Sequence, residues 1–337
     1  MTRLLCASVV LLAACSTAEA PPAAEPAKTA APTESPAPMS HGEAKVNDPA
    51  TPLHRLASAP ARSTRTRHAV RMTTTHAKHI VANNVRYDGW MFSDSIPGPV
   101  VRVTVGDTVD FTIVNTSPIP HSMDFHAAEI APSRAYVNVN PGDSLSFQFV
   151  ARVPGAFMYH CGTAPVAAHI ANGMYGAIIV DPRTPLPPAR EFVLVQSEFY
   201  LSAPSGADSV RTLDWAQLLD LSPDHVVFNG AAGQYAAHPL EVTPGERVRM
   251  YVVNAGPNRV SAFHVVGGIF DAVRVGGFGA PLEGVQTFNV PVGGGAVFEF
   301  RLTEPGLYPF VSHAFADATK GAVGILKVGD VKGTMAH

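Results

Sequence analysis

The chain has 337 residues, 15% of them charged, and a formal net charge of -3. That length allows two domains of ordinary size with real cores, and the near-neutral balance gives no footing for nucleic acid. Glycine (28) and proline (30) favour many short strands and turns over long helices.

Residues 1–15, M-T-R-L-L-C-A-S-V-V-L-L-A-A-C, set one arginine before a short apolar run. The run is too short to span a bilayer as a stable helix and reads as a secretory signal peptide. L-A-A-C has the form of a bacterial lipobox. It makes Cys15 the lipidated first residue of a protein anchored at the outer membrane or in the periplasm. Ordinary cleavage after the small residues is the alternative. Residues 16–67 are rich in Ala, Pro, Thr and Ser and read as a disordered tether that holds folded domains off the lipid. His41, His54, His68, His76 and His79 lie in or just after it with no ligand spacing, and read as solvated.

Folded structure is expected from His68, as a first domain over residues 68–186 and a second over 190–331. The join is the proline-rich R-T-P-L-P-P-A-R of residues 183–190. Residues 87–103 read as strand, turn and strand. Residues 103–115, V-T-V-G-D-T-V-D-F-T-I-V-N, alternate as half-buried strands do, around a turn at Gly106-Asp107. The pattern recurs without a gap at 242–254, V-T-P-G-E-R-V-R-M-Y-V-V-N. P-G-A-F-M-Y-H-C (154–161) is echoed by P-G-L-Y-P-F-V-S-H-A (305–314), and G-M-Y-G-A-I-I-V by K-G-A-V-G-I-L-K-V. Two similar β-sandwiches follow by internal duplication. A short helix is expected over 214–221.

The chemistry concentrates in F-M-Y-H-C-G-T-A-P-V-A-A-H-I-A-N-G-M-Y-G-A-I-I-V, residues 157–180. Cys161, His169 eight residues on and Met174 five further suit a blue-copper centre. Such a centre takes a thiolate and two imidazoles with a weak axial thioether. His121, in P-H-S-M-D-F-H, is the expected second imidazole. The bland alternative is a buried thiol beside unrelated histidines. Neighbours on a strand point to opposite faces, so His160 looks away from Cys161. On a regular strand His126 likewise looks away from His121. His126 and His160 thus predict a second metal site, joined to the first through the His160–Cys161 peptide. Cys6 and Cys15 lie in the leader, which leaves one thiol and no disulfide in the folded part. In the second copy Ala314 stands opposite Cys161, so no blue-copper site is expected there. His264 and His313 stand out in that copy. Met91, Met123 and Met158 read as packing.

Together these residues resemble the copper-containing nitrite reductases, and more narrowly their outer-membrane lipoprotein (AniA-type) branch, over most of residues 87–328. The motifs that carry the resemblance are H-S-M-D-F-H-A-A, Y-H-C-G-T-A-P-V-A-A-H-I-A-N-G-M-Y-G, V-V-F-N-G and G-P-N-R-V-S-A-F-H-V-V-G-G-I-F-D. The resemblance implies an all-β chain of two tandem cupredoxin-like Greek-key sandwiches in a homotrimer. It implies type 1 copper on His121, Cys161, His169 and Met174. It implies type 2 copper on His126 and His160, with His313 supplied by a neighbouring subunit. Asp124 matches the aspartate over the type 2 copper, His264 the catalytic histidine, and Val266 a pocket-shaping aliphatic. The implied reaction reduces nitrite to nitric oxide, with electrons from a small donor protein, a cytochrome c or a cupredoxin. One departure is E-I-A-P-S-R-A-Y after Ala128, where the family carries a glycine-rich stretch. Two other readings compete. A laccase-like multicopper oxidase needs paired H-x-H motifs, which this chain lacks, and a histidine after the cysteine, where Gly162 stands. A non-enzymatic copper or electron-transfer protein would not need the second histidine set.

Overall fold

The computed structural model describes residues 56–206 and 209–332. The signal peptide, the lipidation at Cys15, and His41 and His54 lie outside the described residues. No helix among the described residues is long and apolar enough to cross a membrane.

The first domain holds β1 (Arg67–Ala82), β2 (Val85–Phe92), β3 (Val101–Thr104), β4 (Thr108–Asn115), β5 (Asp124–Phe125), α1 (Pro132–Ala135), β6 (Ser144–Val150), β7 (Gly155–His160), α2 (Val166–Ala171) and β8 (Tyr175–Asp181). The second holds β9 (Arg190–Phe199), β10 (Val210–Arg211), α3 (Trp215–Leu219), β11 (His225–Phe228), α4 (Gln234–Ala237), β12 (Leu240–Val242) and β13 (Arg247–Gly256). It continues with β14 (Ser261–Val265), β15 (Ala272–Val275), β16 (Thr287–Val290), β17 (Gly295–Arg301), β18 (Gly306–Ser312), α5 (Phe315–Thr319) and β19 (Val323–Val328). The first domain's sheets run β2-β1-β4-β6, with β10 from the second half of the chain added beside β2, and β3-β8-β7-β5; the second's run β11-β9-β13-β17-β15 and β12-β19-β18-β14-β16. In β4, Val109, Phe111 and Ile113 point inward in strict alternation. They meet Tyr159, Ile178 and Val180 of the facing sheet, which makes the first core of a cupredoxin-like sandwich.

The duplication holds for the eight strands the two copies share, with β10, β15 and β16 additional. β1 pairs β4 in parallel and β2 antiparallel, as β9 pairs β13 and β11. β3 pairs β8 in parallel as β12 pairs β19. Asn115 closes the first repeat by donating to Ile119 O and Val139 O, and Asn254 does the same to Arg259 O and Val290 O. The backbone also corrects the expected alignment of the second copy. Cys161 N–H donates to Met174 O, and Ser312 N–H donates to Ala322 O, both at 3.1 Å. Ser312, not Ala314, therefore stands opposite Cys161. Matching the histidines of the two echoes had slid the register by two residues, whereas β7 and β18 both count from their first glycine.

The G-A-I-I-V run is buried on both faces. Its second face packs Ala177 and Ile179 against Val193, Val195, Tyr251 and Val253 of the other domain. Beside that apolar join, Arg102 donates to Asp181 at 2.8 Å and to Glu191 at 2.7 Å. Arg249 donates to Glu191 at 2.6 Å and to Glu299 at 2.8 Å.

Structure reaches back before His68: Ala57 is buried and Ser58 bridges Phe192, so the end of the expected tether lies on the second domain. His68, His76 and His79 are not simply solvated. All three lie on β1, where His68 meets Asp107, His79 donates to Gly230 O, and His76 faces His121. The expected helix is α3, shorter by a residue or two at each end, with Asp214 capping Gln217 N–H. Met91, Met123 and Met158 are buried, as packing residues are.

Candidate metal centres

His121, Cys161 and His169 come together from three places. His121 is held by a single bridge to Val139, Cys161 follows the last residue of β7, and His169 sits in α2. Cys161 Sγ lies 3.2 Å from His169 Nδ1 and 3.8 Å from His121 Nδ1, and the two Nδ1 atoms are 3.1 Å apart. All three residues are buried. Burial holds both imidazoles neutral, His169 with a pKa lowered to about 4 and His121 lower still, and pushes the thiol up. A neutral thiol at this spot has no use for two nitrogens converging on it; a thiolate there needs a cation between them. The donor set fits copper held by one sulfur and two nitrogens. Met174 is fully buried in the same apolar cluster, with its carbonyl on Cys161 N–H and its N–H on His169 O.

Residues 121–126 are not a regular strand, since only Asp124 and Phe125 pair with β7. The expected division of faces nevertheless appears. His126 Nε2 and His160 Nε2 lie 3.0 Å apart, and Asp124 Oδ2 lies 3.4 and 3.5 Å from them. His126 donates its Nδ1–H to Gly293 O, and His160 donates its own to Cys161 O, both at 2.9 Å. Those bonds fix each tautomer and leave two Nε2 lone pairs facing each other. A proton on Asp124 could meet only one of them. A shared cation meets both, so this set also fits a metal. Burial keeps both imidazoles below their ordinary pKa, His160 at about 4, and lifts the Asp124 carboxyl to about 6.

The two sites touch through one residue boundary. His160 and Cys161 are adjacent, and the His160 ring also bonds the Cys161 carbonyl. Gly293 reaches His126 from the second domain, a contact with no signal in the sequence spacing. Its φ of +75° favours glycine, and an added Cβ would stand 3.4 Å from the His126 ring. The departing stretch after Ala128 forms α1 and lays Tyr136 on Gly162, where a Cβ would come within 2.5 Å of that ring.

His264 and His313 are not brought to either cluster within the chain. They pair with each other, ring centroids 5.3 Å apart, and His264 donates to Gln286 O at 2.6 Å. His313 is exposed, beside exposed Phe315, and exposed Val266 and Ile269 lie in the turn that follows β14.

Two multicopper oxidase family models match the chain, over residues 73–185 and 190–321. The copper-containing nitrite reductase of Neisseria meningitidis serogroup B is 43% identical over 265 residues, 77% of this chain and 68% of that protein. That of Alcaligenes xylosoxydans xylosoxydans is 34% identical, over 67% of this chain and 75% of its own. The solved copper nitrite reductase from Nitrosomonas europaea superposes with a TM-score of 0.72 at 36% identity, covering 78% of this chain and 94% of that one. Two metal-ligand clusters joined at one peptide, on a duplicated cupredoxin-like frame, agree with those matches: the chain belongs to the copper-containing nitrite reductase family.

Proposed function

We propose that this protein reduces nitrite to nitric oxide and water, one electron and two protons at a time. The observation that carries this reading is the junction of a thiolate–imidazole cluster to a second, partly open imidazole cluster by the His160–Cys161 peptide. His121, Cys161 and His169 would hold one copper and His126 and His160 a second, and copper bound there would supply one-electron transfer and a coordination position for a small anion. The chain's own residues manage the protons. Asp124 stands over the Nε2 pair with its pKa lifted toward neutrality, where a carboxyl can give as well as take a proton. His264 keeps Nδ1 on Gln286 O, which leaves Nε2 to exchange a proton. Met174, buried in the same cluster, would offer its thioether to a metal held at the first site.

The second site has two histidines in one chain, and the reading adds His313 from a neighbouring subunit. The His264–His313 pair, with His313 exposed and an apolar rim around it, supports a closed homotrimer, in which that face meets the Asp124 face of the next copy. A small donor protein, a cytochrome c or a cupredoxin, docks over α2, where Val166 is exposed close to His169. The lipobox at Cys15 and the eight-residue step from Cys161 to His169 support the AniA-type branch and a lipid anchor at the outer membrane.

The test is nitrite-dependent nitric oxide release by the copper-loaded protein. Full copper occupancy with no nitric oxide between pH about 5 and 8 would end the reading. Light scattering tests assembly: a monomer holding two coppers per chain contradicts the shared site. Mass spectrometry of the mature N-terminus tests the lipid.

A further inference from the structure

We infer that His76 is a positioning residue of the blue-copper cluster: it accepts the outer N–H of His121, orients that ring, and lowers the reduction potential of the bound copper. The inference rests on copper occupying the His121–Cys161–His169 cluster.

Four observations carry it. His121 turns Nδ1 toward Cys161 and His169, so the nitrogen facing away is Nε2. A neutral ring that binds metal through Nδ1 carries its proton on Nε2. That atom lies 3.3 Å from His76 Nε2, which therefore accepts. Only two imidazoles meet there among the described residues, so the contact is a hydrogen bond rather than a further metal site. Secondly, His76 is itself held. It pairs with Trp90 across β1 and β2, and its ring stacks on the indole at 4.9 Å and 4°. Trp90 in turn meets the His169 ring edge-on at 4.9 Å, and its backbone N–H donates to Asn172 O at the end of α2. One stacked pair thus touches both ligand imidazoles.

Thirdly, the strand is locked to the loop that bears His121. The Thr74 hydroxyl donates to Asn115 Oδ1 at 2.7 Å, Asn115 donates to Val139 O, and Val139 bridges His121. Fourthly, the second domain uses the same strand position for the same task. Thr74 pairs Asn115 as Gln196 pairs Asn254, so His76 corresponds to Glu198. Glu198 accepts the backbone N–H of Asn258 at 3.0 Å and that of Arg259, in the loop equivalent to the one before His121. In the first domain the clamp ends on a metal ligand instead of a backbone.

An acceptor on the outer N–H of a ligand imidazole raises its basicity. A more basic ligand favours the oxidised, more highly charged metal. Removing the acceptor should therefore raise the potential.

The test is spectroelectrochemical titration of the blue band in the copper-loaded, full protein. His76→Phe keeps a ring against Trp90 and removes the acceptor. His76→Gln keeps an acceptor and loses the stack. We expect His76→Phe to favour the reduced state about tenfold, which for one electron is about 59 mV upward, and His76→Gln to recover most of that shift. Copper content and the unfolding midpoint identify a variant that fails to fold; in that case His76→Gln and His76→Leu make the same comparison. A potential unchanged in His76→Phe, or an equal shift in the Phe and Gln variants, overturns the role. A wild-type protein with no blue band at all overturns the copper cluster itself, and the role with it.

Discussion

The two domains share a backbone and differ where the chemistry is. Three backbone hydrogen bonds or pairings align them. Cys161 N–H bonds Met174 O as Ser312 N–H bonds Ala322 O, Met174 N–H bonds His169 O as Ala322 N–H bonds Asp317 O, and Asp124 pairs His160 as His264 pairs Val311. His121, Cys161, His169 and Met174 thus stand against Ser261, Ser312, Asp317 and Ala322. The scaffold that shapes the copper cluster is intact in the second domain, and four side chains remove the function. Ser261 and Ser312 are fully buried, and their hydroxyls have no hydrogen-bond partner among the described residues. Asp317 has become half of an ion pair with Arg259 at 3.0 Å, which braces α5 next to His313. The same alignment places Asp124 and His264 at equivalent points of the two sandwiches. The two proposed proton carriers are therefore one structural position used twice.

The comparison can be broken most severely with Cys161→Ser, which gives the first domain the second domain's residue. The intense blue band should vanish and nitrite turnover fall to background, while copper analysis still finds the second site filled. A band that survives would refute the ligand assignment. Next come the paired positions: Asp124→Asn and His264→Ala should each keep both coppers and the blue band, yet lower nitric oxide production about 10²–10⁴-fold. Equal losses would sharpen the equivalence; normal rates in either would break it. A smaller effect concerns pH. Burial raises the Asp124 pKa to about 6, so the acid form dominates below that value. Turnover should fall as pH rises through about 6, and Asp124→Asn should lose that limb of the profile. The smallest effect belongs to the emptied slot. Ser312→Ala deletes a buried hydroxyl that bonds nothing, so thermal unfolding should show no loss and a gain of up to about 1 kcal/mol. A clear loss would mean that something polar occupies the slot.

The first cluster was legible because Cys161 and His169 lie eight residues apart on one short segment, with His121 in a second histidine-bearing motif. The repeats were legible because a thirteen-residue pattern recurs without a gap. Register was not: two extra residues between Gly306 and the echoed histidine looked like a match at Ala314, and only strand pairing moves it to Ser312. His76 follows the tether and shows no ligand spacing, yet its partner lies 45 residues away on an irregular loop. Gly293, 167 residues from His126, gave no sign at all, since it acts through a backbone carbonyl that any residue owns. Side chains of metal-ligating type at strand spacing leave a trace even across 34 residues, as His126 and His160 do; a contact made through a backbone carbonyl leaves none.

The proline-rich join between the domains looks like a hinge in the sequence, and the charges beside it make it a weld. Glu191 lies just past that segment and takes Arg102 from one half and Arg249 from the other, with the arginine side chains 7% and 3% exposed. Parting the halves would break the Arg102–Glu191 pair, leaving Arg102 with Asp181 as its remaining carboxylate, and would open the shared apolar face of Ala177, Ile179, Val193 and Val195 to water. Neither half is then a free-standing module. The duplicated unit has given up its independence, and the body should melt in one calorimetric transition instead of two.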